Sequence, residues 1–340
     1  MSARIRTVVC VVLAGVALGC PPPAGAGDAE RGRADSGAPA AAPFWVDPES
    51  AAARQVRKWR REGRGEDAEL LERIAGRPGA TWPGWDDPRA DVARAVAGAA
   101  KAGGRAVLVA YNIPHRDCGQ HSAGGAVDAA AYRAWIGAFA DAIGDGPALV
   151  VLEPDAVAHM VAGCTPPEYH AERLELLSGA VSRLKQHPGT EVYLDAGHSN
   201  WISNVGDVAR SLRAAGVDRA DGFALNVSNF QTTESEIRYG RRLSELLGGA
   251  RFVIDTSRNG NGPLRGGAAD AWCNPPGRAL GRPPTTRTGV EGVAAYLWIK
   301  RPGDSDGTCR GGPPAGRWWP QYALGLARAT AANDREASGG

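Results

Sequence analysis

The sequence predicts a single α/β domain whose parallel strands form a TIM-like β/α barrel. Three observations lead there. From about Phe44 to Ala332, strand-like apolar runs alternate with helical stretches. The runs are continuously apolar and rich in β-branched residues, the pattern of strands covered on both faces. No GxGxxG motif opens a helix after the first run, so a dinucleotide-binding sheet is not expected.

The strand candidates are "RAVLVAY" (Arg105–Tyr111), "ALVVLE" (Ala148–Glu153), "EVYLDA" (Glu191–Ala196), "GFALNV" (Gly222–Val227), "RFVIDT" (Arg251–Thr256) and "AAYLWI" (Ala294–Ile299). Helical patterns lie near 50–62, 88–102, 128–143, 168–186, 205–215, 233–248 and 318–331. A chain of 340 residues, 43% of them hydrophobic, can bury this core as one domain. Nearly every strand candidate ends in polar residues. Tyr111 is followed by Arg116 and Asp117; Glu153 and Asp155 end the second run; Asp195 and His198 the third; Asn226 the fourth; Asp255, Arg258 and Asn259 the fifth; Lys300, Asp304 and Asp306 the sixth. In a β/α barrel these ends share one rim, where active sites are built.

Net charge is +2, which gives no electrostatic case for nucleic acid. Tryptophan is abundant, 10 against 7 Tyr and 5 Phe, and flat rings of this kind serve as stacking platforms for sugars. Arg4 and Arg6 precede an apolar run from Val8 to Leu18, the form of an export signal. It ends either by cleavage after Ala26 or at a lipobox-like "ALGC", which would leave Cys20 lipidated as the chain's one membrane contact. The expected organisation is a signal peptide at 1–26, a flexible tether at 27–42, a catalytic barrel domain at 43–333 and a disordered tail at 334–340, in an extracellular monomer. Export makes two disulfides the natural reading of Cys118, Cys164, Cys273 and Cys309. Of three connectivities, the sequence-local one closes modest loops. A zinc site is disfavoured because CxxC and HxxxH spacings are missing.

The rim inventory limits the chemistry. No GxSxG elbow is present, and the six histidines are scattered. Paired carboxylates and tryptophans remain, the equipment for glycosidic bond cleavage, with no cofactor or metal required.

The motifs "AYNIPHRDCGQHSAGGA", "LEPDAVA", "YLDAGHSNW", "VIDTSRNGNGP", "AWCNPPGRALG" and "LWIKRPGDSDGTC", in this order, resemble glycoside hydrolase family 6, the inverting cellulases. The resemblance covers essentially all of residues 44–332, cysteine positions included. It implies a distorted seven-stranded barrel and inverting hydrolysis of β-1,4-glucan. By matched position, Asp155 is the general acid, with Pro154 stiffening the strand exit that holds it. Asp117 is its helper, since two carboxylates a few Å apart cannot both ionise cheaply. Asp306 occupies the position proposed as general base, a role that a water chain also fills in the family. Tyr111 lies beneath the −1 sugar. Asp195 and His198 match sugar-binding groups, Trp201 and Trp272 stacking platforms, and Lys300 and Asp304 polar contacts to hydroxyls. Arg258 lies in a family motif without a firm role.

Other residues read as packing. Trp135 and Trp298 belong to the core, and Trp318 and Trp319 to the start of the last helix. Trp45 is either a distal platform or an anchor for the chain start. Asp255 is expected to hold Arg258 rather than sugar. Two departures from the family pattern stand out: Asp304 replaces a glutamate, and Ala123, after Ser122, replaces a second serine. With no large insertion between Trp272 and Lys300, an open cleft and endo cleavage are expected. The alternatives are a cellobiohydrolase of the same family and a non-catalytic glucan-binding lipoprotein.

Overall fold

Six parallel strands pair in chain order: β1 (Ala106–Ala110), β2 (Ala148–Leu152), β3 (Thr190–Asp195), β4 (Gly222–Leu225), β5 (Arg251–Asp255) and β6 (Val293–Leu297). This computed structural model describes residues 44–266 and 270–339. The expected leader, Cys20 and the tether lie outside the described residues. Each expected strand is present, trimmed or shifted by a few residues.

Period-two alternation splits each strand between two cores. Val107 and Val109 of β1, and Leu149 and Val151 of β2, point into the curl of the sheet with Tyr193, Ala224, Val253 and Leu297. Leu108, Val150, Val192 and Leu225 point outward against the helices. Both faces are therefore buried, as the unbroken apolar runs demand. Ala294 is skipped in the pairing of β6 with β5, a bulge that sharpens the local bend.

Six strands form the ladder where seven were expected. At the free edge of β1, Thr81 N donates to Val107 O and Val109 N donates to Thr81 O, both at 2.9 Å, while Ala80 N donates to Trp298 O at 3.0 Å. Two residues thus bridge the first strand to the exit of the last.

The helices are α1 (Ala51–Arg61), α2 (Gly65–Ala75), α3 (Arg89–Lys101), α4 (Ala129–Ile143), α5 (Ala156–Val161), α6 (His170–Leu184), α7 (Val205–Ala214), α8 (Thr233–Leu246) and α9 (Pro320–Gly339). Capping side chains mark several starts: Ser50, Asp128, Asn204 and Thr232 each accept a first-turn N–H. Sequence reading missed α2, whose N-cap Arg64 makes no side-chain capping bond. It also missed α5, six residues long and too short for periodicity. The tail expected to be disordered from 334 is instead helical to Gly339. Asp334 pairs with Arg73 of α2 at 2.6 Å and Leu326 packs in the α1–α2–α9 cluster, which gives the longer helix a surface to follow.

Trp45 is an anchor and not a platform. Its N–H donates to Arg105 O at 3.0 Å, just before β1 begins, which is the sheet end opposite the rim. Its ring lies where a Cβ on Gly98 of α3 would sit, 2.4 Å away. Trp135 and Trp298 are buried as expected. Trp318 packs against the cluster of α1, α2 and α9, and Trp319 stacks on Tyr322. The two disulfides are Cys118–Cys164 and Cys273–Cys309, the sequence-local pairing.

Gly240 lets α8 lie close on the sheet: a Cβ there would stand 2.3 Å from the Phe252 ring. Gly240→Val is expected to lower stability by about 1–3 kcal/mol, read as a drop in the urea or thermal unfolding midpoint; an unchanged midpoint would contradict this packing.

Candidate active site

The strand exits are tied to one another by buried carboxylates. Glu153, directly after β2, accepts N–H from Asn112 (3.0 and 2.9 Å) and Ile113 (2.9 Å) at the exit of β1. Asp195, the last residue of β3, accepts from Asp155 N at 2.8 Å and Gly197 N at 3.1 Å. Asp255, ending β5, accepts from Ser228 N, Ser257 N, Ile299 N and Lys300 N at 2.9–3.2 Å. The expectation that Asp255 holds Arg258 is corrected: its oxygens serve the backbone. Asp195, expected to face sugar, is likewise buried behind Asp155, its exposure only 1%. Asn226 is spent as well. Its side chain donates to Asp255 O and Gln231 O and accepts from Gln231 N.

Glu153, Pro154 and Asp155 form a sharp exit, with φ of 48° at Glu153 and 68° at Asp155. These are left-handed values that ordinary residues adopt only where the surroundings impose them. The reversal sends the two carboxylates apart. Glu153 turns back to the β1 exit, and Asp155 stands at the N-cap of α5 without capping it, still partly exposed. Asp117 lies beside it: a carboxylate oxygen of each and a ring nitrogen of His159 fall within 4.8 Å of one another. Burial, then the charge of Asp117, push the Asp155 carboxyl up to about 7, with Lys300 opposing. Burial also raises Asp117, against a hydrogen bond from Ser122 N. Tyr111 completes this end, its hydroxyl pushed far up by burial and by Asp155 and Asp117. Its ring meets Trp82 edge-on at 5.6 Å and lies under Arg116 at 4.7 Å.

Asp306 is the electrostatic opposite. Burial alone would raise its carboxyl, but Arg258 and Lys300 hold it below the usual range. Arg258 Nη1 donates to Oδ2 at 2.8 Å, Lys300 Nζ stands 3.1 Å from Oδ1, and Asn274 N donates to Oδ2 at 3.0 Å. Arg258, fully buried, also caps Ser228 O and lies over the Phe230 ring at 4.3 Å. Lys300 is thereby committed to Asp306 and to Ser305 O. Asp304 is not a hydroxyl contact either. It is buried and its carboxylate is taken by Arg301 at 2.6 Å. The loops of Asp117 and Asp306 touch, because His121 packs on Gly307, where a Cβ would meet its ring at 2.4 Å. Trp272 adjoins His121, centroids 5.9 Å apart.

Trp201 is half-buried between His198 (5.4 Å) and His159 (5.0 Å, edge-on). Burial lowers His198 to about 4, so it is neutral, and its Nε2 lies 3.1 Å from the Asn229 amide nitrogen.

Three residues escaped sequence reading. Arg173 of α6 is buried and donates to Pro114 O, His115 O, Ala156 O and Thr165 Oγ1 at 2.9–3.2 Å, clamping the loops that carry Asp117 and Asp155. Glu236 of α8, fully buried and raised to about 7 by burial, accepts from Ser199 N at 3.0 Å and fixes the loop of His198 and Trp201. Neither carries a motif signal. His159 had one: it stands four residues after Asp155, one helical turn on.

The model of the family described as glycosyl hydrolases family 6 matches residues 39–330. Endoglucanase A of Cellulomonas fimi is 44% identical over 289 residues, 84% of this chain and 61% of that protein, so the chain spans less than two thirds of this relative's length. Endoglucanase 1 of Streptomyces halstedii is 41% identical over 335 residues, 95% of this chain and 98% of that one. The structure of a Mycobacterium tuberculosis endoglucanase in complex with methyl-cellobiosyl-4-deoxy-4-thio-β-D-cellobioside superposes with a TM-score of 0.79 at 47% identity, covering 85% of this chain and 97% of that chain. A curled parallel sheet ending in one carboxylate-lined rim and a family match over nearly the whole described chain agree: the chain belongs to glycosyl hydrolases family 6.

Proposed function

We propose that this protein is an endo-β-1,4-glucanase that cleaves internal bonds of cellulose or a related β-glucan with inversion. The observation that carries the reading is the pairing of Asp155 with Asp117, which favours a protonated carboxyl at neutral pH on a partly exposed side chain. Asp155 is the general acid that gives its proton to the leaving oxygen. Asp117 keeps that proton in place by its charge. Asp306 is the permanent anion. Held below the usual range by Arg258 and Lys300, it is a weak base, suited to orient the attacking water and to offset positive charge on the sugar. Tyr111 would lie under the reacting sugar, with His198, Trp201 and Trp272 beside the glucan chain. The endoglucanase names of the relatives favour endo over exo cleavage. The catalytic set of Asp117, Asp155 and Asp306 speaks against a mere glucan binder, which needs the rings but not the acids.

The same reading takes Ala80 and Thr81 as a rudimentary seventh strand closing a distorted barrel. It takes the chain as an exported monomer, in keeping with two disulfides, with cleavage after Ala26 or lipidation at Cys20.

Asp155→Asn should cut release of reducing ends from a β-1,4-glucan by about 10²- to 10⁴-fold, with the parent releasing the α-anomer first by NMR. Retention of activity in the variant, or a β-anomer first product, would overturn the assignment. The pH profile should fall on its alkaline side near 7 as Asp155 loses its proton. Asp117→Asn removes the second cause of that shift and should move this limb to lower pH; a limb that stays in place would remove Asp117 from the role of helper.

A further inference from the structure

Asp117 and Asp155 are adjacent carboxyl groups to which no described cation is paired. The nearby positive side chains are committed elsewhere: Arg116 to Tyr111 O and Ser122 O, Lys300 to Asp306 and Ser305 O, and Arg173 to four oxygens of the surrounding loops. Among the described residues neither Asp117 nor Asp155 makes an ion pair. His159 stands against both. Its exposure is 6%, and neither ring nitrogen hydrogen-bonds a described residue, yet one of them lies within 4.8 Å of both carboxylate oxygens. The position follows from local structure. Asp155 is the N-cap of α5, and His159 N donates to its carbonyl at 2.8 Å, which brings His159 round one turn beneath it. The Cys118–Cys164 disulfide, with Cys164 N donating to His159 O at 3.0 Å, draws Asp117 to this turn.

We propose that Asp117, Asp155 and His159 form a binding site for a divalent transition cation of the Zn²⁺ type, and that its occupation switches hydrolysis off. Two carboxylates and one imidazole make a ligand set such ions accept. Metal–donor bonds of about 2.0–2.2 Å require the three atoms to close by roughly 1 Å. On binding, an Asp155 oxygen lone pair goes to the ion and its proton to solvent, so no proton is left for the leaving oxygen. The inhibition rests on the proposed role of Asp155; the binding does not.

The test uses the full chain, stripped with EDTA and freed of chelator, titrated calorimetrically with ZnCl2, alongside hydrolysis of a neutral β-1,4-glucan oligomer at each Zn²⁺ level. One saturable site is expected, with inhibition following its occupancy and reversed by EDTA. His159→Asn, assayed against its own metal-free rate, and Asp155→Asn, assayed for binding alone, should each weaken Zn²⁺ binding more than about tenfold. No saturable binding by the parent, or unchanged binding in both variants, would overturn the site. Binding that the variants lose, with hydrolysis undiminished in the parent, would overturn the switch together with the acid role of Asp155. Loss of hydrolysis in Asp155→Asn without Zn²⁺ binding by the parent would overturn the metal site alone.

Discussion

Buried carboxylates that accept backbone N–H groups across neighbouring strand exits hold this rim together. Parallel strands end abruptly, and the first residues beyond each ladder have lost their backbone partners. Glu153 serves β1 from β2, Asp195 serves β2 from β3, and Asp255 serves β4 and β6 from β5. Each is buried at a cost that only several hydrogen bonds offset. Each described strand exit is met by one of these carboxylates. Arg173 and Glu236 repeat the device from the helices, capping loop carbonyls and a loop N–H respectively.

On that scaffold the site keeps two carboxylate environments apart. Around Asp155, burial and Asp117 penalise ionisation. Around Asp306, two cations reward it so strongly that burial is overcome. Environments that push like groups in opposite directions favour a protonated carboxyl at one and a carboxylate at the other without any difference in residue type. Removing Asp306 would leave Arg258 buried without its partner, so the same pair is also structural.

The rim is strained around Asp117 and Asp155. Described residues other than glycine with left-handed φ include Asp117, Cys118, Glu153, Asp155, Asn226 and Ser228, all beyond strand ends. Disulfides flank the two loop pairs that carry Asp117 with Asp155's helix and Asp306 with Trp272. Covalent links and buried hydrogen bonds together keep conformations that relaxed loops would leave.

The sequence by itself determined much of this protein. Unbroken apolar runs required strands buried on both faces, polar residues after each run marked the rim, and an even set of four cysteines pointed to two disulfides. Ordered motifs pointed to the family. It did not separate the proposed catalytic acids from acids that hold the scaffold. Asp195, Asn226, Asp255 and Asp304 all stand at strand ends, yet the fold spends each on backbone or on an arginine. Only the tertiary structure decided this, because ionisation and exposure depend on neighbours far along the chain. Arg258 reaches Asp306 across 48 positions and Asp195 reaches Asp155 across 40. Trp45 shows the same limit: an aromatic ring reads alike at either end of a strand, and its place opposite the rim came from one backbone bond to Arg105.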